Sequence, residues 1–383
     1  MRDRLTLIIK TGRKGRKAVA LSESKHGILP DWQICALADA GQLLPAEPFA
    51  EAQVQPASLD LRLGNRAFRV RASFLPGPDL CVAERLPDLS LHEIDLSDGA
   101  VLETGCVYIV PLLESLALPD DIAASTNPKS STGRLDVFTR VITDRARSFD
   151  QVPAGYQGPL YLEISPRTFP IIVRRGSRLS QIRFRTGDAR LDDAALAELH
   201  ERETLATGQA RFIDGLALSI DLQGDGDGLV GYRGKRHTGV IDLDRPGAYE
   251  VLDFWEPIQR RGAAEIVLDP DQFYILVSRE AVHVPPAYAA EMVPFDPLVG
   301  EFRVHYAGFF DPGFGHDAAG GHGSRAVLEV RSHEVPFILG HGQTVGRLVY
   351  EKMTEAPEHV YGADLKSHYQ AQGLKLSKHF KAG

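Results

Sequence analysis

Leu160-Tyr-Leu-Glu-Ile-Ser-Pro-Arg-Thr-Phe-Pro-Ile-Ile-Val-Arg-Arg-Gly176 returns 166 residues later as Ala326-Val-Leu-Glu-Val-Arg-Ser-His-Glu-Val-Pro-Phe-Ile-Leu-Gly-His-Gly342. Without a gap, the same offset aligns residues 108–184 with 274–350. One offset over so long a stretch indicates an internal duplication, and each copy is large enough to bury a core of its own. The sequence therefore predicts two tandem domains of one fold, whose function has to be sought where the copies differ.

Most of the chain consists of short strand-like runs between Gly, Pro and Asp clusters, a pattern typical of a β-sandwich or β-barrel. Only two segments are predicted to be helical: Pro30–Ala40, with Asp31 as its N-cap, and Asp192–Glu203. The duplication also extends upstream, because Leu218-Ser-Ile-Asp-Leu-Gln-Gly is similar to Ala57-Ser-Leu-Asp-Leu-Arg-Leu-Gly. The predicted fold is mainly β, with a strand opening each copy.

The predicted organisation has five segments. They are a basic N-terminal extension expected to be a solvated arm (1–26), a first barrel (27–190), a helical linker (191–212), a second barrel (213–355) and a C-terminal tail (356–383). The boundary between the copies is placed in the linker because that segment is rich in helix-forming residues and precedes the second opening strand.

Composition limits the class of function. A net charge of −8 argues against a general surface for nucleic acid or anionic membranes, although a compact basic site could still hold one phosphorylated ligand. No apolar run approaches 18 residues, and the N-terminus lacks a secretory pattern, so a cytoplasmic location is expected. Three widely spaced cysteines without a CxxC pair fit a reducing compartment and argue against a cysteine-built zinc site.

The copies diverge most at two turns. The first copy has Asn127-Pro-Lys-Ser-Ser-Thr-Gly-Arg134, which concentrates hydroxyls, cations and backbone N–H groups suited to a phosphate chain, or forms an ordinary polar turn. At that place the second copy has Phe295-Asp-Pro-Leu-Val-Gly300, which lacks these donors. The second copy in turn has Asp311-Pro-Gly313, normally a tight turn and nothing more, where the first copy has a looser stretch. Glu163 and Glu329 lie in alternating strands of both copies and are either solvated or line a cavity.

Together these motifs resemble the dCTP deaminase branch of the trimeric dUTPase superfamily, in a tandem-duplicated form. The resemblance rests on Gln55-Pro-Ala-Ser-Leu-Asp-Leu-Arg-Leu-Gly64, the turn 129–134, Ala307-Gly-Phe-Phe-Asp-Pro-Gly-Phe314, the Glu163 and Glu329 strands, and the tail from Tyr369 to Lys378. It implies two distorted, jelly-roll-like β-barrels with a few short helices and an active site shared between barrels. It also implies homo-oligomers with barrels arranged in threes. The family turn normally begins with Arg, and Lys129 keeps the charge but loses the forked geometry.

The implied reaction is hydrolytic deamination of dCTP to dUTP and ammonia, with dTTP as a candidate feedback inhibitor. The family's division of labour assigns substrate binding to Lys129, Ser130, Ser131, Arg134, Ala307, Gly308, Asp311, Val327, Leu328, Lys366, Tyr369, Gln372 and Lys378. One buried carboxylate can move all the protons required, with Glu329 as first choice and Glu163 as second. The zinc-deaminase signatures are absent, so Mg²⁺ bound through the triphosphate, and no zinc, is expected.

The sequence is also compatible with other functions. They are a bifunctional enzyme that carries dCTP on to dUMP, a dUTPase in which Asp311 activates water, and an inactive nucleotide-binding protein. A more distant hypothesis is a cupin-like metal enzyme. It is suggested by four histidines, although the cupin H-x-H pattern is missing: His316, His322, His333 and His341. The sequence does not decide whether the site forms within one chain or between chains.

Overall fold

The computed structural model describes residues 26–224, 226–260, 262–294, 302–305, 308–316, 322–332, 334–361 and 373–381. Within these residues the chain is mainly β, as predicted, with short helices at the edges of two β-barrels. The helices are α1 (Asp31–Asp39), α2 (Val82–Leu89), α3 (Ser130–Gly133), α4 (Asp193–Arg202) and α5 (Val251–Phe254).

Barrel one is formed by the first copy. Its strands are β1 (Gly27–Ile28), β2 (Leu43–Pro45), β3 (Val54–Gln55), β4 (Ser58–Arg62), β5 (Arg66–Val70), β6 (Ser90–Asp95), β7 (Ala100–Leu102), β8 (Val107–Ala117), β9 (Ile122–Pro128), β10 (Val137–Thr143), β11 (Gln151–Val152), β12 (Gln157–Pro166), β13 (Ile171–Val173) and β14 (Arg178–Thr186). They form sheets in the orders β11-β9-β14-β4-β3 and β10-β12-β8-β5-β6, with β7 and β13 in a third sheet.

Barrel two is formed by the second copy. Its strands are β15 (Leu216–Ser219), β16 (Leu229–Gly234), β17 (Ile241–Asp242), β18 (Trp255–Gln259), β19 (Glu265–Leu268), β20 (Phe273–Val282), β21 (Tyr288–Pro294), β22 (Phe302–His305), β23 (Phe309–Phe310), β24 (Ser324–Ser332), β25 (Phe337–Gly340) and β26 (Thr344–Lys352). Their orders are β23-β21-β26-β15 and β22-β24-β20-β16-β18, with β19 paired to β25.

The two barrels have matching strand orders, so the sequence repeat is also a repeat of topology. Strands β9 and β21, and likewise β14 and β26, correspond residue for residue at the offset of 166. Each copy alternates or stays apolar in these strands, which places its apolar side chains in one of two large buried clusters. The tandem-duplicated fold expected from the sequence is therefore confirmed.

The barrels are joined by an aromatic cluster. Trp255 is fully buried, and its ring centroid lies 5.2 Å from that of Phe169 in barrel one and 5.9 Å from that of Phe380 in the tail. Edge-to-face arrangements of this kind are favourable beyond the area they bury. Strand β17 of barrel two also pairs in parallel with β13 of barrel one. These contacts hold the barrels and the tail end (373–381) in one arrangement.

Two expectations about helices were wrong. The N-cap of α1 is Pro30, not Asp31, and no side chain caps this helix. The Asp31 carboxylate instead accepts hydrogen bonds from the backbone N–H groups of Trp32, Glu358 and His359, so it ties the start of the tail to α1. Helix α2 was also missed, because it carries Pro87 in its interior and is held by the burial of its apolar side chains.

Candidate active site

The phosphate-type turn predicted in the first copy forms a compact helical turn, α3. Pro128 ends strand β9, Lys129 stays extended as the N-cap, and the N–H groups of Thr132 and Gly133 bond to the Lys129 carbonyl oxygen. Arg134 follows as the C-cap, with its side chain buried. Lys129 and Arg134 therefore lie at opposite ends of the turn, one before the helix and one after it.

Lys129 borders the larger of two adjoining cavities, which measures about 690 Å³. Its ammonium group forms an ion pair with Asp60 of strand β4, and Asp60 also lies 3.5 Å from Arg178. Other residues around this cavity include Ser130, Ser131, Asp244 and Lys378. Burial, with Lys129 nearby, lowers the pKa of Lys378. Lysine, arginine and serine side chains in this lining can bind an extended polyanion, and carboxylates such as Asp60 pair with some of these cations in its absence.

The Asp-Pro-Gly stretch of the second copy forms a tight turn directly after β23. The N–H of Phe314 bonds to the Asp311 carbonyl oxygen, and Gly313 has a φ of +94°. Gly315 also has positive φ, and a Cβ there would lie 2.2 Å from the Val282 carbonyl oxygen. Glycine is thus required at that point for steric reasons. The turn brings Asp311 to the boundary between the barrels.

The smaller cavity, about 70 Å³, is composite. Barrel one contributes Ser130 and Arg134, and barrel two contributes Gly308, Asp311 and Glu329. Val327, Phe309, Phe310, Phe314, Met292 and Tyr361 complete its lining. Ser130, Phe309, Asp311 and Tyr361 border both cavities. A small, partly apolar chamber therefore opens beside a larger, cation-lined one, and both copies of a single chain build it.

Glu329 is one of the ionisable groups that line the smaller cavity. It lies on β24 and is 5% exposed. Burial raises its pKa to about 8, and this rise is opposed by the Arg134 guanidinium, whose Nε lies 3.8 Å from Oε1. A carboxyl group tuned close to neutral pH can both accept and return a proton.

Glu163, the equivalent residue of barrel one, has a different environment. It is 1% exposed, and its Oε1 accepts hydrogen bonds of 3.0 and 2.7 Å from Nε and Nη2 of Arg140 on the neighbouring strand β10. The Arg140 guanidinium in turn stacks 3.5 Å from the centroid of the Phe149 ring. Glu163 borders neither cavity. Its carboxylate is committed to a structural ion pair.

The remaining predicted residues fall into three sets, according to where they lie. Lys129, Ser131 and Lys378 border the larger cavity, whereas Leu328 is buried in the barrel-two core. Residues Ala307, Lys366, Tyr369 and Gln372 lie outside the described residues. Four residues at or next to the cavities were not predicted from the sequence: Asp60, Arg178, Arg183 and Tyr361. Asp60 could have been found, because it stands in the strand motif that opens the first copy.

The histidines that suggested a cupin-like centre do not converge in the described part of the chain. His341 Nδ1 accepts a hydrogen bond from the Leu222 N–H, and His316 faces Glu203, while His333 lies outside the described residues. No group of three or more His, Cys, Asp or Glu side chains there could hold a metal ion. In the same residues no helix has the length and apolar character that crossing a membrane requires.

The strand order and composite chamber define a duplicated β-barrel protein with one site shared between its copies. Family models of the 2'-deoxycytidine 5'-triphosphate deaminase N-terminal and C-terminal domains match residues 25–188 and 192–380. The chain belongs to the dCTP deaminase family.

Both solved and curated relatives support this assignment. A crystal structure of 2'-deoxycytidine 5'-triphosphate deaminase from Agrobacterium tumefaciens is 68% identical, covers 87% of this chain and 99% of its own, and superimposes with a TM-score of 0.83. A "dCTP deaminase, dUMP-forming" of Beutenbergia cavernae is 34% identical over 41% of this chain and 78% of its own length. A "dCTP deaminase" of Haloarcula marismortui is 32% identical over 41% of this chain and 79% of its own length. The tandem-duplicated form fits the two family models.

Proposed function

We propose that the protein deaminates dCTP hydrolytically, converting dCTP and water to dUTP and ammonia. The observation that carries the proposal is Glu329, a buried carboxyl group with a pKa of about 8, in a small chamber that adjoins a cation-lined cavity. We assign the pyrimidine base to the smaller space and the triphosphate to the larger one, because lysine, arginine and serine side chains border the larger one. The match to dCTP deaminase family models supports the same substrate.

Glu329 supplies the proton transfers in this proposal. Its carboxylate removes a proton from a water molecule that attacks C4 of the cytosine and delivers that proton to N3. The same carboxyl then moves the hydroxyl proton of the tetrahedral intermediate to the amino group, which leaves as ammonia. Arg134 stabilises the ionised form of Glu329 from 3.8 Å, so the group can recover its basic state in each cycle.

Lys129, Ser130, Ser131, Arg178 and Lys378 are proposed to bind the triphosphate, because they border the larger cavity. The substrate is then the Mg²⁺ complex of dCTP, with the ion held by phosphate oxygens. We expect a zinc-selective chelator, used with Mg²⁺ in excess, to leave turnover unchanged.

The first experiment follows ammonia release from dCTP and Mg²⁺ and resolves dCTP, dUTP and dUMP by chromatography. Ammonia with accumulating dUTP supports the proposal. Cleavage of dUTP without turnover of dCTP would instead identify a dUTPase, and binding of dCTP without either reaction would identify an inactive binding protein. Addition of dTTP to the same assay tests feedback inhibition.

A bifunctional reaction is the second candidate. Several relatives at 32–34% identity carry the name "dCTP deaminase, dUMP-forming", among them that of Streptomyces griseus, 32% identical over 40% of this chain and 78% of its own length. Release of dUMP and pyrophosphate, without dUTP in solution at early times, would support this candidate over simple deamination.

The site is proposed to form within one chain, because the 3.8 Å contact joins Arg134 and Glu329 of the same chain. Co-expressed Arg134→Ala and Glu329→Gln chains, carrying different affinity tags, should therefore show no more activity than the two variants alone. Recovery of turnover in the mixed assembly would mean that sites form between chains. The doubly substituted chain co-expressed with wild type is the control for dilution.

A further inference from the structure

A fully buried arginine crosses from barrel one to the Asp311 turn of barrel two. We propose that Arg183 is a positioning residue for this site: its guanidinium fixes residues 309–311, which border both cavities. The inference rests on the proposed function for its kinetic readout, while its structural readout does not depend on turnover.

Arg183 lies on β14, and its side chain is 0% exposed. Its Nη1 donates a 3.0 Å hydrogen bond to the Ala290 carbonyl oxygen on β21. Its Nη2 lies 3.1 Å from Asp311 Oδ1 and 3.4 Å from the Phe310 carbonyl oxygen. The guanidinium also stacks 4.0 Å from the centroid of the Phe309 ring. One rigid fork therefore fixes three consecutive residues of the turn and the strand behind them.

Arg183 itself borders neither cavity, whereas Phe309 and Asp311 border both. Its effect on substrate therefore has to pass through the turn. Asp311 is buried, and burial raises its pKa, while the Arg183 charge opposes that rise. A buried carboxyl that faces a matching guanidinium has a defined orientation, which a cavity wall requires. Small misplacements of such walls reduce rates strongly, on the order of 10²-fold for 1 Å.

The internal repeat shows that this contact is specific to one pairing of the barrels. Val349 corresponds to Arg183 at the offset of 166, and strand pairing makes β11 the equivalent of β23, so that Pro153 takes the place of Asp311. Barrel one thus carries the cation on its strand and no carboxylate at this point of its own turn, while barrel two carries an apolar residue on its strand and the carboxylate in its turn. The pair can form in one direction only, the direction that builds the composite chamber.

Arg183→Lys tests the proposal, because lysine keeps the charge but cannot bond to three oxygens in one plane. Arg185→Lys is the matched control. Arg185 lies on the same strand and also reaches barrel two, with Nη1 3.5 Å from Glu351 Oε1, whereas its hydrogen bonds and ion pairs within the described residues do not involve the turn. We expect kcat/KM for dCTP to fall on the order of 10–100-fold in Arg183→Lys and to stay within about twofold in Arg185→Lys.

Two further readouts separate positioning from general destabilisation. The first is the coupling between Arg183 and Asp311, measured in a double-mutant cycle of Arg183→Lys and Asp311→Asn. The double variant should be no slower than the slower single variant. Independent multiplication of the two losses would overturn the proposal. Amide hydrogen exchange of residues 309–313 should accelerate in Arg183→Lys and stay unchanged in Arg185→Lys. Unchanged exchange in both, or equal acceleration in both, would also overturn it, and this readout holds even if wild type does not deaminate dCTP.

Discussion

Glu163 and Glu329 occupy the same place in the two barrels, yet they have opposite surroundings. Both are buried on equivalent strands, β12 and β24, each the second strand from the edge of its sheet. Glu163 accepts two hydrogen bonds from Arg140 of its own barrel, whereas Glu329 faces a small cavity and has Arg134 of the other barrel at 3.8 Å. A repeated fold can thus keep one residue and change its surroundings by changing the charged group that reaches it.

The two glutamates also differ in the free-energy cost of burying their charge. A buried carboxylate is costly unless it is paired and hydrogen-bonded, and Glu163 has such a partner in direct contact. Glu329 has a more distant partner, and burial raises its pKa to about 8. Glu163 is thus held by a direct contact with Arg140, whereas ionisation of Glu329 reduces the stability of the folded protein.

The largest expected effect is on turnover. Glu329→Gln removes the group proposed to move protons but keeps its shape, so kcat should fall by roughly 10²–10⁴-fold while the dissociation constant for dCTP changes by no more than a few fold. Glu163→Gln is the matched control, and its kcat should stay within about twofold. Steady-state ammonia release and calorimetric titration with dCTP measure the two quantities.

The opposite ranking would reverse the assignment. A large loss in Glu163→Gln with little change in Glu329→Gln would make Glu163 the catalytic carboxylate. Equal large losses would mean that turnover depends on both carboxyl groups, because two independent sites would each account for only about half of the activity. Either result would contradict the contrast drawn from Arg140 and Arg134.

A smaller effect is expected at the larger cavity. Lys378→Met removes a partly buried cation from the wall proposed to bind the triphosphate, and a lost charge-assisted hydrogen bond costs about 1.5–3 kcal/mol, or roughly 10–150-fold in KM. Lys381→Met removes the same charge from the same tail, but Lys381 pairs with Glu250 away from both cavities and should leave KM nearly unchanged. Equal increases in KM in the two variants would mean that the effect comes from the net charge of the protein and not from contact between Lys378 and the triphosphate.

Much of the fold could be predicted from the sequence because the duplication repeats with one offset. Strands β9 and β21 lie where a shift of 166 residues places them, and both turns singled out by divergence border the chamber. Helix α2 was missed since Pro87 breaks the helical pattern, while the burial of Val82, Leu86 and Leu89 compensates for it.

The choice between the two glutamates could not be made from the sequence. Both lie in the same strand motif. They differ in their tertiary contacts, since Glu163 is paired with Arg140 on the neighbouring strand β10. Arg183 was missed for a related reason, because an arginine in an alternating strand normally indicates a solvent-exposed face. Only the packing of one barrel on the other buries it, and local patterns carry no information on that packing.

The smallest effect, on stability, has opposite signs for the two glutamates. The pKa of Glu329 is about 8 in the folded protein and near its ordinary 4.5 when unfolded. Between these values folding takes up a proton, so the free energy of unfolding decreases as pH rises, and above about 8 the loss is complete. Glu329→Gln should therefore unfold at a higher temperature than wild type by an amount that grows from pH 5 to pH 8. Glu163→Gln should unfold at a lower temperature, because Arg140 loses a buried partner at a cost of about 1–3 kcal/mol, which corresponds to a few degrees.

Calorimetry of both variants without nucleotide measures these shifts, since bound ligand would itself raise the unfolding temperature. A Glu329→Gln shift that does not change with pH would mean that this carboxyl titrates normally in the folded protein. The proton-shuttle role would then lose its physical basis, because a carboxyl that is fully ionised near neutral pH does not readily hold the proton that N3 and the leaving amino group require. A stabilising Glu163→Gln would likewise contradict the assignment of Glu163 to a structural ion pair with Arg140.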